Sequence, residues 1–187
     1  MLSTVRKELT QLERDLAEYV KGLEESLRKR EITPIIYEMD LKEMDNRIIT
    51  FLALYQPQGW LLREIVAYLK IIPFLYKIRK SIKGFLKKGG EVNNPVLDQL
   101  YQLSLTALNS LKMGVIAGDI EEVLPSILES EKRADQLYKE LVKEVKSMEE
   151  LEEGLKLLNL AKKLERITDS VKTIAYYLLF AQEGYSL

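Results

Sequence analysis

Residues 69–83 read LKIIPFLYKIRKSIK and residues 158–172 read LNLAKKLERITDSVK. Set in register, Leu69 matches Leu158, Ile71 matches Leu160, Leu75 matches Leu164, Ile78 matches Ile167 and Ile82 matches Val171. The same apolar stripe of a helix recurs after a fixed interval. A chain with such a repeat folds as two copies of one unit packed together, because each copy carries a face that it cannot bury alone. The copies differ off the stripe. Glu165 and Asp169, four apart and so on one side of a helix, stand where the first copy has Tyr76 and Lys80. One copy can hold a cation there and its twin cannot.

Apolar residues recur every three or four positions almost throughout, as in Leu9, Leu12, Leu16, Val20, Leu23 and Leu27, and no β-type alternation stands out. The fold class is all-α. Breakers divide the chain into about six helices: Thr33-Pro34, Gln56-Pro57, Gly89-Gly90 with Asn93-Asn94-Pro95, Gly118-Asp119, and the acidic turn at 147–153. Short connections make neighbours antiparallel, so the expected architecture is two pseudo-repeated antiparallel three-helix bundles side by side. The first takes residues 1–90 and the second residues 91–187, the third helix of each being the longest. Pro73 inside a helix predicts a kink or break near 71–77.

Charge is balanced overall but not locally. The formal net charge is −1, which argues against a surface that neutralises many nucleic-acid phosphates. Residues 65–90 nevertheless hold seven Lys and Arg and no acid, and residues 119–153 hold twelve Asp and Glu against five Lys and Arg. In the first of these segments Lys77, Arg79, Lys80 and Lys83 make a cationic face suited to an anion, a lipid head group or an acidic partner. A solvated face that balances the acidic fifth helix explains the same pattern.

The chain has no Cys and no His, so thiolate metal sites, disulfides and the commonest general base are all missing. Glycine-rich phosphate loops and a serine nucleophile elbow are also absent, and the expectation is that the protein is not an enzyme. A metal, if bound, takes oxygen ligands: iron, Mn, Mg or Ca. Candidate donors are Glu165 and Asp169 on the last helix and Glu131 and Asp135 on the fifth, which repeat the four-residue spacing near the edge of the stripe formed by Ile127, Ala134, Leu137 and Leu141. Two antiparallel helices can present both pairs together. Such pairs are also ordinary on solvated helices, and Lys162, Arg166 and Lys172 stand where they can pair with Glu165 or Asp169. The opening MLSTVRKELTQLERDL lacks the apolar core of a signal peptide, and no apolar run reaches the length of a membrane span. A cytoplasmic protein with at most peripheral contact at the inner face of the membrane is expected.

The stretch PQGWLLREIVAYLKIIPFLYKIRKSIKGF, through Pro57, Leu62, Arg63, Leu69, Lys70, Ile71, Leu75 and Ile78, resembles the motif of the PhoU family. So does LLNLAKKLERITDSVKTIA, through Leu164, Glu165, Arg166, Ile167, Asp169 and Ile174, and ILESEKRADQLYKEL resembles the family's acidic second-helix pattern. The resemblance spans nearly the whole chain and implies two homologous three-helix bundles. It also implies a role in regulating phosphate transport or phosphate signalling, with a phosphate transporter and a sensor kinase at the membrane as partners, no nucleic acid, and surface metal clusters held by paired acidic motifs. Residue by residue it puts Glu131, Asp135, Glu165 and Asp169 forward as ligands, and it leaves the first copy degenerate, since Tyr76 and Lys80 replace the acids and Arg79 replaces a small residue. Two other readings stay open: a metal-binding or storage protein without signalling duty, and a structural helical module that self-associates as a homodimer through its charged faces.

Overall fold

The computed structural model describes residues 2–88, 90 and 92–184, and among these residues there are seven α-helices and no strand. They are α1 (Leu2–Lys29), α2 (Pro34–Glu38), α3 (Leu41–Tyr55), α4 (Gly59–Lys88), α5 (Pro95–Ala117), α6 (Ile120–Lys146) and α7 (Leu151–Glu183). The third long helix of each half, α4 or α7, is the longest of its half, as the periodicity suggested. The boundaries follow local chemistry. Asn94 accepts hydrogen bonds from the amides of Val96 and Leu97, with Pro95 opening α5. Gly118, at φ +68°, ends α5 in the left-handed conformation, and Asp119 caps α6 through the Glu122 amide.

Two expectations about the first half change. The helix opened by Pro34 stops after five residues, because Met39 turns extended and Asp40 starts a new helix by accepting from the Lys42 amide. The half therefore holds four helices rather than three. α4, in contrast, runs on through Pro73, so of the expected kink or break the break does not occur. Pro73 is exposed, so solvent can bond the Leu69 carbonyl that the missing N–H leaves free. Pro125 sits in the same way on the exposed side of α6.

One continuous core draws on every helix. In the last helix Leu157, Leu160, Leu164, Val171, Ala175 and Leu178 are all buried, which is the stripe read from the sequence. α5, α6 and α7 pack extensively on one another, and the helices of the first half do so less. The most extensive pairing of all joins the halves, α4 against α7. This pair is antiparallel: the Phe74 and Tyr177 rings lie 6.1 Å apart, Gly84 abuts Lys163, and Arg63 abuts Gly184. Because α4 and α7 are repeat equivalents, they are related by an approximate two-fold axis that crosses them near Lys80 and Asp169. A second tie between the halves is Tyr101 of α5, which donates its hydroxyl to the Leu27 carbonyl at the end of α1 (2.6 Å), stacks on Phe85 of α4 and lies under Arg30.

Candidate functional site

The antiparallel crossing of α4 and α7 leaves a groove of about 910 Å³ on the protein surface. All four positions that differ between the repeats, Tyr76, Lys80, Glu165 and Asp169, line it. So do Lys77, Arg79 and Lys83, the cations read from the sequence. The groove also holds Lys87 from the same run of α4, and three cations of α7 that the sequence pattern does not mark as an anion site: Lys162, Lys163 and Arg166. The repeat register carried a signal for one of them, since Arg166 is the counterpart of Lys77.

Several of these cations are held in place by rings. Lys77 Nζ lies 4.7 Å from the Phe74 ring centre, Arg79 lies 5.9 Å from that of Tyr76, and Lys83 Nζ lies 5.0 Å from that of Tyr37 on α2. Among the described residues, none of Lys77, Arg79, Lys80, Lys83, Lys87, Lys163 or Arg166 forms an ion pair. Crowding shows in their protonation. Burial, then the charges of Arg79 and Lys87, lower the Lys83 amine below its ordinary value; burial, then Arg166 and Lys88, do the same to Lys163.

The four acids put forward as metal ligands are not brought together. Glu165 is largely covered, with a side chain 13% exposed, and binds Lys162 Nζ at 2.9 Å one turn away. Asp135 faces outward and pairs with Lys139 of its own helix at 2.9 Å. Glu131 and Asp169 do approach one another, but through Lys172, whose Nζ lies 3.1 Å from Glu131 and 3.7 Å from Asp169. Burial works against the charge on Lys172, yet the Glu131 hydrogen bond and the charges of Glu131 and Asp169 outweigh it and hold the amine above its ordinary value. Among the described residues no three acidic side chains converge so as to hold one ion. As arranged, the donors do not fit a shared metal cluster, because each already has an ammonium partner.

No helix among the described residues is long and apolar enough to cross a membrane. A second groove, about 870 Å³, lies between α1, the start of α4 and the α5–α6 turn, where the Glu13 and Glu64 carboxyls face one another and Tyr68 donates to Glu64 at 2.6 Å.

A family model for the PhoU domain matches residues 97–178, a stretch within the second half. No curated protein sequence matches the chain. Among solved structures, PhoU from Pseudomonas aeruginosa is similar at a TM-score of 0.69 and 19% identity, over 98% of this chain and 98% of that one. The phosphate transport system regulatory protein PhoU from Streptococcus pneumoniae is similar at a TM-score of 0.68 and 22% identity, over 100% of this chain and 89% of that one. At these identities the likeness is one of fold. The chain thus matches the PhoU domain over residues 97–178 and shares the fold of PhoU from end to end.

Proposed function

We propose that this protein regulates phosphate transport by docking, as an adaptor on the inner face of a phosphate transporter and on a sensor kinase that reports to it. The observation that carries the reading is the end-to-end match in fold to a phosphate transport system regulatory protein, together with the family domain in the second half. An adaptor needs a rigid body with distinct faces rather than a reactive centre. Here the body is the α4–α7 spine, and the faces are the basic groove and the acidic α6. The test is phosphate uptake in a deletion strain, with pull-down of the tagged protein from native membranes. Changed uptake and recovery of transporter subunits support the reading; unchanged uptake with no membrane partner removes it.

A second reading, a metal-binding protein without regulatory duty, rests on Lys172. Its ammonium marks a point where α6 and α7 jointly hold a cation. Metal analysis of protein purified without an affinity resin separates the two. Stoichiometric iron, Mn, Mg or Ca that disappears in Glu131→Ala with Asp169→Ala supports it, and metal-free protein leaves the regulator alone.

A further inference from the structure

The floor of the α4–α7 groove carries more than its rim of charge. Ser81 and Ser170 both line it, and they are repeat equivalents that lie beside the approximate two-fold axis. The residues are 7% and 5% exposed, and their hydroxyls are not among the fully buried unpartnered groups of the described residues, which leaves both open to the groove they line. Gly84 opens the wall beside them. A Cβ there would fall on Lys163 Cε, so the missing side chain is what lets the lysine stem cross α4. The groove then runs on into a cavity of about 700 Å³ that shares Gly84, Lys87 and Lys163 with it and adds Lys88 and Lys156. Glu165 and Asp169 weaken this field little, since Lys162 and Lys172 already pair with them.

We infer that this groove binds a linear anion carrying several phosphoryl groups, with the lysines and arginines of α4 and α7 along its two sides and the Ser81 and Ser170 hydroxyls donating to phosphoryl oxygens at the floor. Unpaired cations in two facing rows lower their own mutual repulsion when a chain of negative charges lies between them. The floor decides the class of ligand. A bilayer is flat and meets the rim charges rather than serines only 7% and 5% exposed, and an acidic helix, roughly 10 Å across, is far broader than a phosphate chain. A phosphate chain is narrow, carries charge at every unit and presents acceptor oxygens to which two hydroxyls can donate. The groove is also one of the faces in the transport reading, but the two fail separately, because binding is measured on the purified full chain whatever that chain regulates.

The experiment is calorimetric titration at fixed ionic strength with orthophosphate, tripolyphosphate, a longer inorganic polyphosphate and ATP. One saturable site is expected for tripolyphosphate, tightening with chain length and weak for orthophosphate. ATP binding as tightly as tripolyphosphate identifies a nucleotide as the source of the chain; ATP binding more weakly identifies the inorganic polymer. Lys87→Gln with Lys163→Gln should weaken tripolyphosphate roughly tenfold or more, about 1.4 kcal/mol. Lys7→Gln with Lys42→Gln makes the same charge change away from the groove and should leave affinity within about twofold. Ser81→Ala with Ser170→Ala keeps every charge, and a several-fold loss there reads the floor directly. Thermal melts confirm that each variant is folded. Absence of saturable binding, equal losses in the groove and control doubles, or binding only to vesicles containing phosphatidylglycerol would overturn the inference.

Discussion

Glu24 is a buried charge that joins the two halves, and its neutralisation has a calculable cost. The side chain sits on α1 at 4% residue exposure, accepts from Arg28 Nε at 3.0 Å on its own helix, and from Lys112 Nζ at 3.3 Å on α5. Glu24→Gln keeps the shape and removes the charge that both cations face. Breaking a fully buried pair costs about 3–5 kcal/mol because the orphaned partner stays in the interior. Here the partners can escape, with Arg28 53% and Lys112 22% exposed, so the expected loss falls to roughly 1–2 kcal/mol. For a chain of this size each kcal/mol lowers the midpoint by about 2–4 °C, which gives a drop of roughly 2–8 °C in a calorimetric or circular-dichroism melt. Glu25→Gln is the control, since Glu25 pairs with Lys29 one turn away on the exposed side of the same helix and should change the midpoint by about 1 °C or less. A double-mutant cycle between Glu24 and Lys112 then isolates the link between helices. If Glu24→Gln melts with the wild type, or no lower than Glu25→Gln, the buried-bridge reasoning is wrong.

Burial and Glu64 raise the Glu13 carboxyl from 4.5 to about 7, so its protonated form favours the fold and its contribution is full in acid and disappears as pH rises from about 4.5 to 7. Melts of wild type against Glu13→Gln should diverge across that window, the wild type losing more on the way up; parallel pH profiles would refute it. Gly84→Ala should change stability little, because the intruding Cβ meets only the flexible end of Lys163, yet weaken tripolyphosphate binding measurably by titration. Pro73→Ala restores an amide to the Leu69 carbonyl on an exposed face and should stabilise by about 1–3 kcal/mol in denaturant unfolding. Lys172→Ala leaves Glu131 and Asp169 without their shared cation, and the expected outcome is a lower melting midpoint that added Mn or Mg raises only in the variant.

What could be read from residues alone was what local chemistry settles. Asn94, Gly118 and Asp119 end or start helices through their own backbone neighbourhood, and the stripe from Leu157 to Leu178 repeats on one helix face whatever lies opposite. The Met39–Asp40 break was less visible, since Asp40 gave a capping signal inside a stretch whose apolar period did not lapse. The site was legible only on one side. Lys77, Arg79, Lys80 and Lys83 are contiguous and announce themselves, but their counterparts on α7 lie among acids and were read as those acids' partners. Lys162 does pair with Glu165, whereas Arg166 does not pair. Rotation of α6 against α7 decided the rest: it turned Asp135 outward and placed Lys172 between Glu131 and Asp169, and no spacing within a single helix encodes that angle.

The internal repeat explains why one groove holds Tyr76 and Lys80 together with their counterparts Glu165 and Asp169. A repeat packed through its own third helix necessarily sets equivalent positions face to face across the axis, so Tyr76 and Lys80 act on the same volume as Glu165 and Asp169. With acids in both copies, four carboxylates would share one groove with Lys77, Lys83, Lys87, Lys162, Lys163 and Arg166. Tyr76 and Lys80 in place of one pair, with Arg79 beside them, make the groove more strongly positive, and the remaining acids are satisfied locally by Lys162 and Lys172. The serines at the axis are the part that did not diverge. Their presence in both copies, at the floor of the groove, makes the alanine double at Ser81 and Ser170 a probe that leaves every charge in place.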